Sequence, residues 1–204
     1  MTIIDKKIKV INHKLSLMTF HCEKSLYLVE TTLIESDKIY LKEIKDNDKI
    51  INELEDEIKS LAYSLLIRQQ PVASHFRYIS SVLKIITDLE RIGDYSKEIS
   101  LILNEYDLDT LKYKQEIIEL SKDVNGMLIK SMNSFLNQDN SQSTFVIDYD
   151  KYVDKGLHLL KEKLVDDMVT QKDLNNQKLD IYMIGKYYER CGDRCVNIAN
   201  HLQI

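Results

Sequence analysis

One proline and five glycines in 204 residues leave this chain with almost no means of making tight turns. β-rich folds need a turn every few residues, and turns draw heavily on glycine and proline. The chain therefore has to be built from long helices. Apolar residues recur at three- and four-residue spacings almost throughout. That pattern predicts six helices at about 2–44 (bent), 47–69, 75–104, 108–137, 143–170 and 174–202. Pro71 lacks a donor and clashes with the preceding turn, so it ends the second helix within Gln70-Pro71-Val72-Ala73. Ser74 is placed to cap the third helix and Asp173 the sixth. The polar run Asn137-Gln138-Asp139-Asn140-Ser141 interrupts the pattern and reads as a loop after the fourth helix.

The chain also repeats itself. TDLERIGDYSKEIS at 87–100 aligns with KYYERCGDRCVNIA at 186–199, so that Glu90, Arg91, Gly93, Asp94 and Ile99 match Glu189, Arg190, Gly192, Asp193 and Ile198 at an offset of 99. Upstream, Asp48-Lys49-Ile50-Ile51-Asn52 corresponds to Asp150-Lys151-Tyr152-Val153-Asp154 at an offset of 102. A slightly shorter connection in the second half absorbs the difference. The unit is three helices used twice. The expected fold is all-α, two tandem three-helix bundles, with the first repeat at 1–105 and the second at 106–204.

The repeated segments carry a conflict. Phe76, Ile79, Leu83 and Ile86 form an apolar stripe, and the next positions on it are Glu90 and Asp94. Carboxylates at i and i+4 lie one above the other on a helix and repel. Buried, they need compensation. Glu189 and Asp193 repeat the arrangement, and Asp150 and Asp154 form a second i,i+4 pair on the helix before. Four acids from two facing helices suit a hard or borderline cation. The first repeat offers Asp48, Glu90 and Asp94, with Asn52 where the second has Asp154, so it is one charge poorer. His75 is a weaker candidate, four turns from Glu90 along the same helix. Gly93 and Gly192 each follow the glutamate by three residues, and all five glycines fall inside predicted helices. A glycine there costs about 1 kcal/mol against alanine, and it lets a helix or an ion approach the backbone. The competing reading is a solvated acidic face paired with Arg91 and Arg190, which sit about 100° round the helix from the glutamates.

Other features exclude more than they suggest. Cys191 and Cys195 point away from the acids and continue a stripe with Ile181, Ile184, Tyr188 and Ile198, so they are expected in the core. Cys22 has no partner motif. A net charge of −5 without a basic stripe argues against nucleic acid as a partner. No apolar run approaches the roughly 20 residues of a membrane span. MTIIDKKIKV places charges where an export signal needs apolar residues, so a cytosolic location is expected. No nucleophile elbow, phosphate-binding loop or nucleotide-binding glycine pattern is present.

RQQPVASHFRYISSVLKIITDLERIGD at 68–94, together with YERCGDRCVNIA, resembles the paired signatures of the PhoU family of phosphate-signalling proteins. The resemblance runs over essentially the whole chain. It implies a regulator that binds metal ions (multinuclear iron or zinc) and does not catalyse a reaction. It also implies negative control of phosphate uptake and of the phosphate-starvation response. The implied partners are the phosphate ABC transporter and a sensor histidine kinase, met at the membrane through protein contacts, and a second copy of the chain in a homodimer. Carried over residue by residue, the metal set is Asp48 and Asn52 with Glu90 and Asp94, then Asp150 and Asp154 with Glu189 and Asp193. Asn52 and His75 depart from the family pattern, which expects an acid at each. Two further readings stand beside this one: a di-metal enzyme, for which no clear Glu-x-x-His motif is found, and a metal-free helical dimerisation module.

Overall fold

In the computed structural model, residues 2–69, 71–171 and 176–201 are described, and no strand occurs among them. The chain runs through α1 (Ile3–Glu35), α2 (Ile39–Gln69), α3 (Ala73–Asn104), α4 (Lys114–Asn137), α5 (Asn140–Gln171) and α6 (Asn176–Asn200). The all-α fold of two three-helix bundles is the one expected from the repeat.

Each helix is held by its apolar stripe. In α1, Ile11, Leu15, Met18, Cys22, Leu26, Val29 and Leu33 are all buried at spacings of three and four. Its start is fixed by a reciprocal cap, in which Thr2 accepts from the Asp5 amide and the Asp5 carboxylate accepts from the Thr2 amide. α3 buries Ile79, Val82, Ile86, Leu89, Ile92 and Ile99. Phe76, expected at the head of this stripe, is exposed instead.

Three connections differ from the sequence reading, each for a local reason. The first helix ends at Glu35, nine residues short of the predicted 44. Ser36 adopts a left-handed conformation (φ 54°), and Asp37 Oδ1 accepts the Ile39 amide at 2.9 Å, so two short polar side chains turn the chain sharply. The fourth helix starts at Lys114, not 108. Leu108 and Leu111 are buried in the connection itself, which gave it a helical look in the sequence. The run 137–143 is mostly helix. Asp139 accepts the amide and hydroxyl of Ser141 and the side-chain amide of Gln142, and thereby starts α5 at Asn140. At α3, Val72 occupies the cap position without a side-chain bond, and Ser74 lies inside the first turn. Gln70 in the second turn and the proposed Asp173 cap lie outside the described residues.

Within each half the three helices pack on one another, and the halves meet along two pairs, α1 with α4 and α3 with α6. Among the described residues, α2 touches only α1 and α3, and α5 only α4 and α6. The repeated Glu-Arg-x-Gly-Asp segments therefore lie on the two central helices α3 and α6, while their acidic companions ride on the two outer ones.

Candidate metal centres on the α2–α3 and α5–α6 faces

The second set forms where α5 crosses α6. Asp150 and Asp154 stand one turn apart on α5, as do Glu189 and Asp193 on α6. Gly192 makes the approach possible: a Cβ there would lie 2.9 Å from Asp150 Oδ1 and 3.7 Å from Val153. Asp150 is half-buried, and its carboxyl is pushed up to about 6 by burial and then by the charges of Asp154, Asp193 and Glu189. Burial also raises Asp193, followed by the fields of Glu189 and Asp154. The four acids thus share one face and repel one another across it. Lys186 pairs with Glu189 from the preceding turn of the same helix.

The first set is differently made. Asp48 is buried, and its Oδ2 lies 2.9 Å from Lys97 Nζ, while its Oδ1 has no hydrogen-bond partner among the described residues. Lys97 also reaches Asp94 Oδ1 at 2.9 Å. Arg91, expected off the face, reaches round to Glu90 at 3.5 Å and Asp94 at 3.4 Å. Burial, then the neighbouring Asp94, pushes the Glu90 carboxyl up to about 7. Burial works against the charged form of Asp94 too, but hydrogen bonds with Lys97 and Glu90 and the charges of Lys97 and Arg91 together hold it below its ordinary value. The room left at Gly93 is filled by Ile51, whose Cδ1 would lie 2.8 Å from a Cβ there. Asn52 is half-buried on the same helix as Asp48.

His75 does not join these acids. It sits at the far end of α3 with Nε2 3.6 Å from Asp5 Oδ1, about 22 Å along the helix from Glu90 at 1.5 Å per residue. Two other residues belong near the first set and were not singled out from the sequence. One is Lys97. The other is Glu55, buried on α2, which takes a 2.7 Å contact from Lys59 and adds its charge to the repulsion on Glu90. Its spacing of seven from Asp48 placed it on the same inward stripe, a signal the acid-pair pattern did not use. Cys22, Cys191 and Cys195 are free and buried, and burial raises their thiols, in keeping with the core role read for the last two. Among the described residues, no three His, Cys, Asp or Glu side chains close round a single point as they stand.

The central α3–α6 contact ties the two faces together. The Tyr95 and Tyr187 rings stack at 5.6 Å, and Arg194 lies 3.3 Å from the buried Asp88. The repeat offset of 99 turns Asp88 into Tyr187 and Tyr95 into Arg194. These two contacts are thus the same contact seen from either repeat, made once by aromatic rings and once by charges. Each begins one residue after an acid of the two sets, Asp94 or Asp193.

The comparisons with known proteins agree with this architecture. The PhoU domain family matches residues 15–103 and 117–202, one match per repeat. The phosphate-specific transport system accessory protein PhoU homolog of Clostridium acetobutylicum is 29% identical over 97% of this chain and 91% of its own length. The Thermotoga maritima homolog 1 of the same description is 28% identical over 93% of this chain and 85% of its own. The crystal structure of PhoU from Pseudomonas aeruginosa superposes with a TM-score of 0.92 at 26% identity, covering 97% of this chain and 96% of that one. The Streptococcus pneumoniae protein shares the fold, with a TM-score of 0.83 at 21% identity over 98% of this chain and 92% of that one. With both repeats matched and the helices arranged alike, the chain belongs to the PhoU domain family.

Proposed function

We propose that the chain is a metal-binding accessory regulator of a phosphate-specific transport system, acting through partner contacts rather than turnover. The observation that carries this reading is the duplicated Glu-Arg-x-Gly-Asp segment on α3 and α6, each faced by acids of an outer helix. Its support from relatives is an alignment over 97% of this chain to a homolog described as a phosphate-specific transport accessory protein.

The second set fits a cation. It offers four carboxylates, room for Asp150 against Gly192, and a mutual repulsion that positive charge relieves. Asp150, Asp154, Glu189 and Asp193 would hold the ion (iron or zinc, singly or as a cluster), and the bound charge would fasten α5 to α6. In this reading the protein works on the cytosolic side as a homodimer, bridging the phosphate ABC transporter and a sensor histidine kinase and restraining both uptake and the starvation response. No helix among the described residues is long and apolar enough to cross a membrane, which accords with recruitment through partners.

Elemental analysis of protein purified without added metal tests the first half. Bound metal is expected in the native chain and is expected to be lost in Glu189→Ala. A metal-free native protein whose melting temperature ignores chelator would remove metal from the proposal. Affinity capture from phosphate-replete cells tests the second half. Transporter or kinase subunits are expected with the bait, and recovery of neither would sink the adaptor role.

A further inference from the structure

We propose that Lys97 is a built-in cation of the first repeat, clamping α2 to α3 in the place where the second repeat takes a metal, so that the two repeats are unequal in metal binding. The ammonium lies 2.9 Å from Asp48 Oδ2 on α2 and 2.9 Å from Asp94 Oδ1 on α3. It thus bridges one acid from each helix, which is the part a bound ion plays. Asp48 is withdrawn from water, with its side chain 9% exposed, and no other cation contacts it among the described residues. A buried carboxylate with a single counter-charge depends strongly on that charge.

Among the described residues, the second repeat shows no such bridge. The offset of 99 puts Val196 where the first repeat has Lys97. Lys186 occurs instead, at the position of Thr87, and among the described residues its ion pair is with Glu189 on its own helix. It leaves Asp150, Asp154 and Asp193 to repel one another. At the paired positions Asn52 stands where the second repeat has Asp154, whereas the extra acid of the first repeat, Glu55, already holds Lys59 at 2.7 Å. The first set therefore has its acids bridged from helix to helix by a tethered positive charge, and the second leaves the acids of its two helices unbridged among the described residues. A divalent ion entering the first set would have to expel an ammonium that never leaves the neighbourhood, because the chain holds it there at high effective concentration.

The comparison between repeats rests on the metal reading above, whereas the clamp itself does not, so the two are tested separately in the full-length chain. In chelator-treated protein, Lys97→Met is expected to lower the melting temperature. Adding Asp48→Asn to that variant is expected to recover part of the loss, because the stranded charge is gone. Strictly additive effects in this double-mutant cycle would overturn the clamp. Zinc equilibrium dialysis with elemental counting tests the asymmetry. Zinc in the native chain is expected to be lost in Asp150→Asn/Glu189→Gln and kept in Asp48→Asn. Lys97→Met with Asn52→Asp is expected to gain zinc, and Val196→Lys to bind zinc at least about tenfold more weakly, as a charge-assisted contact warrants. Loss of native zinc in Asp48→Asn, or no gain in Lys97→Met/Asn52→Asp, would overturn the asymmetry. A native chain that takes no zinc at all removes the metal reading and the asymmetry with it, and the melting cycle then decides the clamp alone.

Discussion

At the scale of single residues, Gly192 decides how closely α5 and α6 meet. A methyl group there falls 2.9 Å from Asp150 Oδ1, so Gly192→Ala has to push that carboxylate aside, while the added helix propensity offsets part of the strain. Metal affinity is expected to fall by about 10- to 100-fold, as for lost supporting contacts round a metal, with the far-ultraviolet circular dichroism unchanged. The acids also predict how stability depends on pH. Asp150 near 6 and Glu90 near 7 both lie above their ordinary values, so folding favours their protonated forms. Their stabilising contribution is complete below about pH 4 and is lost as pH rises through about 6 to 7. Melting temperature measured without metal is expected to fall across that window, and a bound cation to oppose the fall.

At the scale of elements, the six helices were legible because burial enforces a period of 3.6, and residues such as Ile11, Leu15 and Met18 in α1 keep it without interruption. The boundaries were less so. Asp139 lies within a polar run that reads as a loop, yet its carboxylate is what starts α5, and hydrogen bonds from Ser141 and Gln142 bring it down to about 2. Asp139→Ala is expected to cost about 1 kcal/mol, the usual value of a lost N-terminal cap, or a drop of about 2–4 °C in melting temperature for a chain of this size. Among the acids, the pairs on α3 and α6 were visible because the repeat doubled them, and the pair on α5 because its own acids are spaced by four. Lys97 was not, because a lysine three residues after an aspartate is commonplace. Only the approach of α2, which brings Asp48 within 2.9 Å, gives it a second partner. Glu55 was missed because Leu157 occupies its place in the second repeat, so duplication offered no help.

At the scale of the whole molecule, the halves are joined through helices that carry the acidic motifs. Asp88 is buried and meets Arg194 and Asn197 of the other repeat. Arg194→Met would strand that carboxylate, at a cost of about 1–3 kcal/mol for a buried acceptor left short of donors. Asp88→Asn in the same chain is expected to recover much of the loss, as read by urea unfolding. The outer helices are bound more simply, since among the described residues the only helices that α5 touches are α4 and α6. Half of the second set's carboxylates sit on this flank, and while charged they press it away from the helix beneath. A cation seated between them reverses the sign of that force. Its arrival would be recorded as slower hydrogen exchange along α5, with the amides of α1 unaffected, so that the ion governs how often one wall of the molecule lifts and lets solvent in.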